Sequence, residues 1–264
     1  MTIAGGSGLH AALSAAHFAS THLISKTGYD FPLSALKLLK NKGVDLSRLE
    51  VLTTRCNIWR ADCSDPTSHK TIGFQINTPI ALNETSFPLP KADFAFIAEE
   101  KPETQLSMIN MLTKKTRILV DTKKRWVQPP HDETFKNVIR RSDYVMMNSE
   151  EAKLFFGTSN TDENLKKLLD LGTKVAIINM ASQGSKMRCG STTVTSPSII
   201  KSPVDTRGAG DSFAGGFLGA LAQGSTLREA FIFGQVMSSF AIEGHSPYSF
   251  LKLDRDQILS RFNS

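Results

Sequence analysis

Apolar and polar positions change period several times along the chain. Residues 9–18 are rich in alanine with apolar side chains at helical spacing, which predicts a helix. The short run His22-Leu23-Ile24-Ser25, stopped by Gly28, predicts a strand, and residues 33–42 predict a second helix ending at the C-cap residue Gly43. Across residues 51–80 the period shortens to two. Cys56-Asn57-Ile58-Trp59-Arg60 and Thr71-Ile72-Gly73-Phe74-Gln75-Ile76 alternate, and the turn chemistry of Asp65-Pro66-Thr67-Ser68 between them predicts an antiparallel hairpin with one face covered and one wet. Four continuous apolar runs follow, at residues 94–97, 118–120, 144–147 and 175–178, separated by helical stretches such as 103–112 and 163–171. Strands of this continuous kind, interleaved with helices, predict a parallel sheet with helices on both faces. No internal repeat or low-complexity segment breaks the pattern, and the one candidate subdomain is the hairpin region at residues 49–90.

Composition narrows the class. With 264 residues, 40% hydrophobic and 21% charged, the chain can bury a substantial core and lies far from the signature of disorder. Cys56, Cys63 and Cys189 match no zinc or redox spacing, so reduced thiols in a cytoplasmic protein are expected. No stretch approaches the roughly 20 apolar residues of a membrane span, and the first residues lack a basic segment leading into an apolar one. The net charge of +6 raises nucleic acid as a partner. The basic groups, around Lys37 to Lys42, Lys114 to Arg117 and Lys123 to Arg125, lack the interleaved aromatics of a base-stacking platform, so no nucleic-acid partner is expected.

The most informative stretch is Asp205-Thr206-Arg207-Gly208-Ala209-Gly210-Asp211-Ser212-Phe213-Ala214-Gly215-Gly216-Phe217-Leu218-Gly219-Ala220. Glycine and alanine leave backbone N–H groups uncovered at a helix start, where the helix dipole adds to them to form an anion site. Asp211 lies at the mouth of that site, placed to accept a proton from an attacking hydroxyl while the amides stabilise a transferred phosphoryl group. The same residues also read structurally, as a cap at Asp211 or Ser212 followed by small residues that allow close helix packing. Asn148-Ser149-Glu150-Glu151 follows a predicted strand and has capping-box spacing. No Walker lysine motif, paired metal-binding histidines or nucleophilic serine elbow is present in the sequence.

The sixteen residues from Asp205 to Ala220 resemble the C-terminal signature of the ribokinase/PfkB family of carbohydrate and nucleoside kinases. The resemblance implies a ribokinase-like three-layer α/β/α fold with a mostly parallel central sheet and a small β lid: one kinase domain over residues 1–264, with the lid within 49–90. It implies Asp211 as catalytic base, also touching the acceptor, and Gly208, Ala209 and Gly210 as anion hole. Asp205 and Thr206 fall where some members hold a monovalent cation, with K+ the candidate, and Arg207 stands where the family usually has a small or neutral residue. Asn148 to Glu151 is similar to the family's N-x-x-E motif, which implies Asn148 for ATP and Glu151 near Mg2+ through water. Gly5-Gly6 is similar to the family's N-terminal glycine pair, and His10 stands at a sugar-contacting position that is often asparagine. Lys124 appears where many relatives carry an asparagine facing the nucleotide phosphates. Asn179 to Gly184 resembles the nucleotide-side loop, with Ala181 in place of a glycine.

ATP and Mg2+ are thus the implied cofactors and a sugar, cyclitol or nucleoside hydroxyl the acceptor, in a cytoplasmic enzyme for which a homodimer is a candidate assembly. The family normally has a strand and a substrate-binding aspartate ahead of the glycine pair, at which this chain begins. Two readings follow: an active kinase whose hairpin, near residues 53–79, closes over the acceptor, or an N-terminally truncated, non-catalytic nucleotide-binding relative. A missing strand would expose sheet edges and apolar surface, which predicts marginal stability or compensating association.

Overall fold

The computed structural model describes residues 3–62, 65, 70–77, 89–199, 203–245 and 247–264. It forms two compact units, one of Met1–Phe87 with Ile199–Ser264 and one of Pro88–Ser198.

The first unit opens with α1 (Ser7–Ala15), β1 (Ser25–Gly28), α2 (Leu33–Asn41), β2 (Leu49–Leu52), β3 (Ile58–Asp62) and β4 (Lys70–Gln75). Helix α1 starts and ends earlier than its periodicity predicts, because Gly6, at a φ of 115°, turns the chain into the helix. The strand predicted at residues 22–25 lies later. His22 makes only an isolated bridge to Asp45, with Nδ1 2.9 Å from the carboxylate, and the ladder proper runs from Ser25 opposite Leu49 to Gly28 opposite Leu52. This β1–β2 pair is parallel, so β2 belongs with β1 and the hairpin itself is confined to β3 and β4. Those two strands are antiparallel, with Trp59 opposite Phe74 and a register shift between Arg60 and Ala61. Only Trp59, Ala61 and Gly73 in them are half-buried and the rest are exposed, so the covered face expected from the alternation is incomplete. The base of the hairpin is clasped by two asparagines: the Asn77 amide donates to Asn57 Oδ1 and Asn77 Nδ2 to the Cys56 carbonyl, both at 2.8 Å. Pro66, Thr67 and Ser68 of the expected turn lie outside the described residues.

The second unit holds β5 (Phe94–Ile97), α3 (Pro102–Met111), β6 (Arg117–Val120), α4 (Asp132–Arg140), β7 (Tyr144–Asn148), α5 (Ser149–Phe156), α6 (Thr161–Asp170), β8 (Val175–Asn179), β9 (Ser185–Cys189) and β10 (Thr192–Ser196). Its sheet has the order β10-β9-β8-β7-β6-β5, parallel from β5 to β8 and antiparallel at β9 and β10. Val120, Val145, Ala176 and Ile178 share a core with Phe135, Val138 and Leu165 of the helices. Leu119, Met146 and Ile177, which alternate with them, are buried as well, so both faces of the sheet are covered at β6, β7 and β8, and each of those strands carries a continuous apolar run.

The chain then returns to the first unit with α7 (Ala209–Gln223), α8 (Leu227–Ile242) and α9 (Arg255–Phe262). Thr226 with Glu229 and Asp254 with Gln257 form reciprocal capping boxes that start α8 and α9. Helix α7 packs tightly against α1 and α8. A methyl at Gly215 would lie 2.1 Å from the Ala11 carbonyl, one at Gly216 2.7 Å from Met237, and Ser14 Oγ donates to the Ser212 carbonyl at 2.6 Å. The small residues after Asp211 are therefore what lets α7 approach its neighbours, and Phe213 and Phe217 fill the space around them. Among the described residues no helix is long and apolar enough to cross a membrane.

Candidate active site

In the first unit the chain enters α7 through Gly208, which adopts the left-handed conformation at a φ of 75°. No side chain caps this end. The Ala209 amide makes only a long contact with the Thr206 carbonyl, 3.4 Å, and the first helical bond runs from the Ser212 amide to the Gly208 carbonyl. The amides of Gly210 and Asp211 thus have no acceptor in the helix, and the positive end of its dipole is open to an anion. Asp211 sits in the first helical turn, half-buried. The turn predicted from Gly208, Ala209, Gly210 and Asp211 is therefore present as a unit.

His10, from α1, is only 5% exposed and lies under this turn. Burial holds its imidazole below the usual histidine range against the opposing pull of Asp211 and Asp205, and Arg207 lowers it further. Its burial leaves little surface for an acceptor. Gly6 caps α1, and a Cβ at Gly5 or Gly6 would meet nothing within 4 Å, so the conformation rather than a tight contact accounts for glycine at Gly6.

Asp205 is also 5% exposed. Arg207 reaches back over it: Nε lies 2.7 Å from Oδ1 and 2.9 Å from Oδ2, Nη2 also bonds Oδ2, and the Arg207 amide donates to Oδ1 at 3.1 Å. Burial pushes the Asp205 carboxyl up, but these hydrogen bonds and the guanidinium charge together hold it below the usual carboxylate range. The guanidinium also lies near Trp59 of β3, whose ring centroid is 5.9 Å away.

The second unit gathers another set at the carboxyl ends of its parallel strands, where open α/β sheets bind ligands. Asn148 and Asn179 are register partners at the ends of β7 and β8. Asn148 Oδ1 accepts the Glu151 amide and the Glu151 carboxylate accepts the Asn148 amide, both at 2.9 Å, which closes the capping box of α5. Glu151 is 3% exposed, and burial raises its carboxyl above the usual range despite the Asn148 hydrogen bonds and the charges of Lys123 and Lys124. Lys124 lies in a 3-10 turn at Lys124–Trp126 that packs on α5, and its ammonium pairs with Glu150. Asn179 Oδ1 accepts from Ser185 Oγ at 2.8 Å. Gly184 closes the loop at a φ of 89°, where a side chain would run into the Ser196 carbonyl at 2.1 Å. Ala181, at the position where glycine was expected, has a φ of 51° and so holds a left-handed backbone without being glycine.

The first unit thus brings His10 against the Gly208 to Asp211 turn, with Asp205 at its start, and the second brings Asn148, Glu151, Lys124 and Asn179 together, while among the described residues nothing links Gly5 to the turn. The sequence reading missed the clamp of Arg207 on Asp205 and the partners Trp59 and Glu150. An arginine two residues from an aspartate was a legible signal. Nothing in the sequence linked Trp59 to Arg207 across almost 150 residues.

A family model described as "pfkB family carbohydrate kinase" matches residues 2–253. The cytidine kinase of Thermococcus kodakarensis is 27% identical over 242 residues, 87% of this chain and 84% of that protein. The ribokinase of Bacillus subtilis is 27% identical over 248 residues, 91% of this chain and 82% of that protein. A crystal structure of a fructokinase double mutant from Vibrio cholerae O395, in its fructose, ADP and potassium ion bound form, superposes with a TM-score of 0.80 at 16% identity, covering 98% of this chain and 90% of that one.

Proposed function

The chain belongs to the pfkB family of carbohydrate kinases, and from that premise we propose that it transfers the γ-phosphate of ATP to a hydroxyl of a sugar, cyclitol or nucleoside, with Asp211 as general base. The observation that carries the reading is the uncapped N-terminus of α7, entered through left-handed Gly208, with Asp211 in its first turn.

In this reading the amides of the Gly208-Ala209-Gly210 turn hold the negative charge that builds on the phosphoryl group in flight. Asp211 accepts the proton of the attacking hydroxyl. Gly5 and Gly6 line the acceptor side, and His10 holds Gly208 in place from below. Asn148, Asn179, Gly184 and Lys124 are assigned to the nucleotide. Lys124 would exchange Glu150 for a phosphate, a small change for an ammonium already half exposed.

Glu151 fits Mg2+ through water rather than directly, since its buried carboxylate is already engaged with the Asn148 amide. Among the described residues no group of three or more metal-binding side chains exists. The engaged Glu151 carboxylate suits an ion held by phosphate oxygens and water, which would neutralise charge on the phosphates when bound.

The β3–β4 hairpin is proposed as the lid that excludes water from the acceptor. Ile72, Phe74 and Ile76 occupy alternate positions there and are exposed, two of them by 70% or more. A homodimer that shields them is part of the proposal, and sedimentation equilibrium tests it.

The decisive experiment is ADP release with Mg-ATP across a panel of sugars, cyclitols and nucleosides. Turnover that depends on the acceptor and falls about 100-fold or more in Asp211→Asn, with thermal stability kept, is the expected result. ATP binding without turnover on any acceptor would point instead to the non-catalytic reading.

A further inference from the structure

We propose that the guanidinium of Arg207 is a built-in cation of the anion-hole turn, taking the place of a monovalent metal ion beside Asp205, so that this kinase neither needs nor binds potassium there. The inference deepens the reading of residues 205–211 as a phosphate-handling turn and rests on it.

The residues around Asp205 do not fit a potassium ion. Its carboxylate is buried, and both oxygens are taken by Arg207, Oδ1 at 2.7 Å and Oδ2 at 2.9 Å from Nε, with Nη2 on Oδ2 and the Arg207 amide on Oδ1 as well. His245 Nδ1 stands a further 3.9 Å from Oδ2. The adjacent carbonyl of Ile242 is engaged too, accepting the Val204 amide at 2.7 Å and the Asp205 amide at 3.1 Å. A metal ion would have to displace these donors and then sit beside a positive charge in a site with little water, where like charges repel strongly. A structural neighbour was solved in a potassium-bound form; here both Asp205 oxygens are already taken.

The guanidinium suits the substitution. It is charged at any working pH, and its planar fork matches a carboxylate with two parallel hydrogen bonds. Arg207 immediately precedes Gly208, so its charge is fixed to the backbone that forms the anion hole. The Trp59 ring, its centroid 5.9 Å from the guanidinium carbon, adds a cation–π contact to the same group. A dissociable ion would give that charge only at sufficient potassium concentration. A covalently attached one gives it always.

Two readouts test this on the full-length protein, one of them independent of catalysis. Thermal unfolding of the wild type and of Arg207→Ala is followed in potassium, sodium and tetramethylammonium chloride at equal ionic strength. The wild type should melt alike in all three, while the variant, with Asp205 uncovered, should melt at least about 2 °C higher in potassium than in tetramethylammonium. With an acceptor in hand, wild-type kcat/KM should change less than about two-fold with potassium, and that of the variant should rise about ten-fold. A potassium-specific shift in the wild type overturns the proposal, and so does a variant that folds but responds to no monovalent cation. If Arg207→Ala fails to fold, Arg207→Gln replaces it, and the wild-type comparison alone still decides against the proposal if potassium stabilises it. Absence of turnover on every acceptor would count against the kinase reading and leave the melting result standing.

Discussion

The imidazole of His10 lies directly against Gly208: a methyl at that glycine would come within 2.5 Å of His10 Nδ1. The left-handed backbone of Gly208 and the burial of His10 are therefore one arrangement, in which α1 fixes the height at which α7 begins.

Gly208→Ala should destabilise the protein on two counts. The left-handed conformation costs a non-glycine residue about 1–2 kcal/mol, and the clash with His10 adds to it. Pairing it with His10→Ala should recover part of the loss, so that the two effects are not additive. Urea denaturation of the two single variants and the double variant measures the coupling. Additive losses would show that the ring does not press on the turn.

Glu151 separates stability from chemistry. Its carboxyl is raised by burial, so the folded protein keeps a proton at pH values where the unfolded chain has lost it. Its contribution to stability is full below the unfolded value and is lost as pH rises through the folded one. Glu151→Gln keeps the capping box, because glutamine can also accept the Asn148 amide, and removes the cost of a buried charge. The expected result at neutral pH is unchanged or higher stability with reduced Mg-ATP turnover. Asn148→Ala should instead cost about 1 kcal/mol through the lost cap.

Ala181 carries strain that a single atom group relieves. At a φ of 51° its Cβ sits in the disfavoured left-handed region. Ala181→Gly removes that strain at the expense of a more flexible unfolded chain, and a net gain of about 0.5 kcal/mol is expected. A loss in urea denaturation would mean that the Cβ makes compensating contacts.

His17 gives the protein an acid-side weakness away from the candidate site. Burial, reinforced by the charge of Lys42 and partly offset by Asp254, lowers its pKa from 6.5 to about 4. The unfolded chain binds this proton first, so stability is full above pH 6.5 and declines as pH falls toward 4. Urea midpoints measured across that range should flatten in His17→Leu.

The four parallel strands were legible because each carries an unbroken apolar run of three or four residues, the mark of a strand covered on both faces. The edge hairpin of β9 and β10 was not, since Ser-Lys-Met-Arg-Cys and Thr-Thr-Val-Thr-Ser hold few apolar residues. Helices α8 and α9 could have been found, because Thr226-x-x-Glu229 and Asp254-x-x-Gln257 carry the same capping signal as Asn148-x-x-Glu151. The strand read at His22 lay three residues early, because an apolar run marks burial and the partner β2 sets the register.

By itself, the sequence determined the class of fold, the glycine-rich entry to α7 with Asp211 behind it, and the box at Asn148 and Glu151. These are local properties: periodicity, backbone freedom and capping act within a few residues of chain. Tertiary structure decided the rest. It buried His10 beneath Gly208, closed Arg207 on Asp205 with Trp59 nearby, and paired Lys124 with Glu150. Whether a charged side chain meets a partner, a ligand or water depends on which groups packing brings within a few ångströms, and distance along the chain does not encode that.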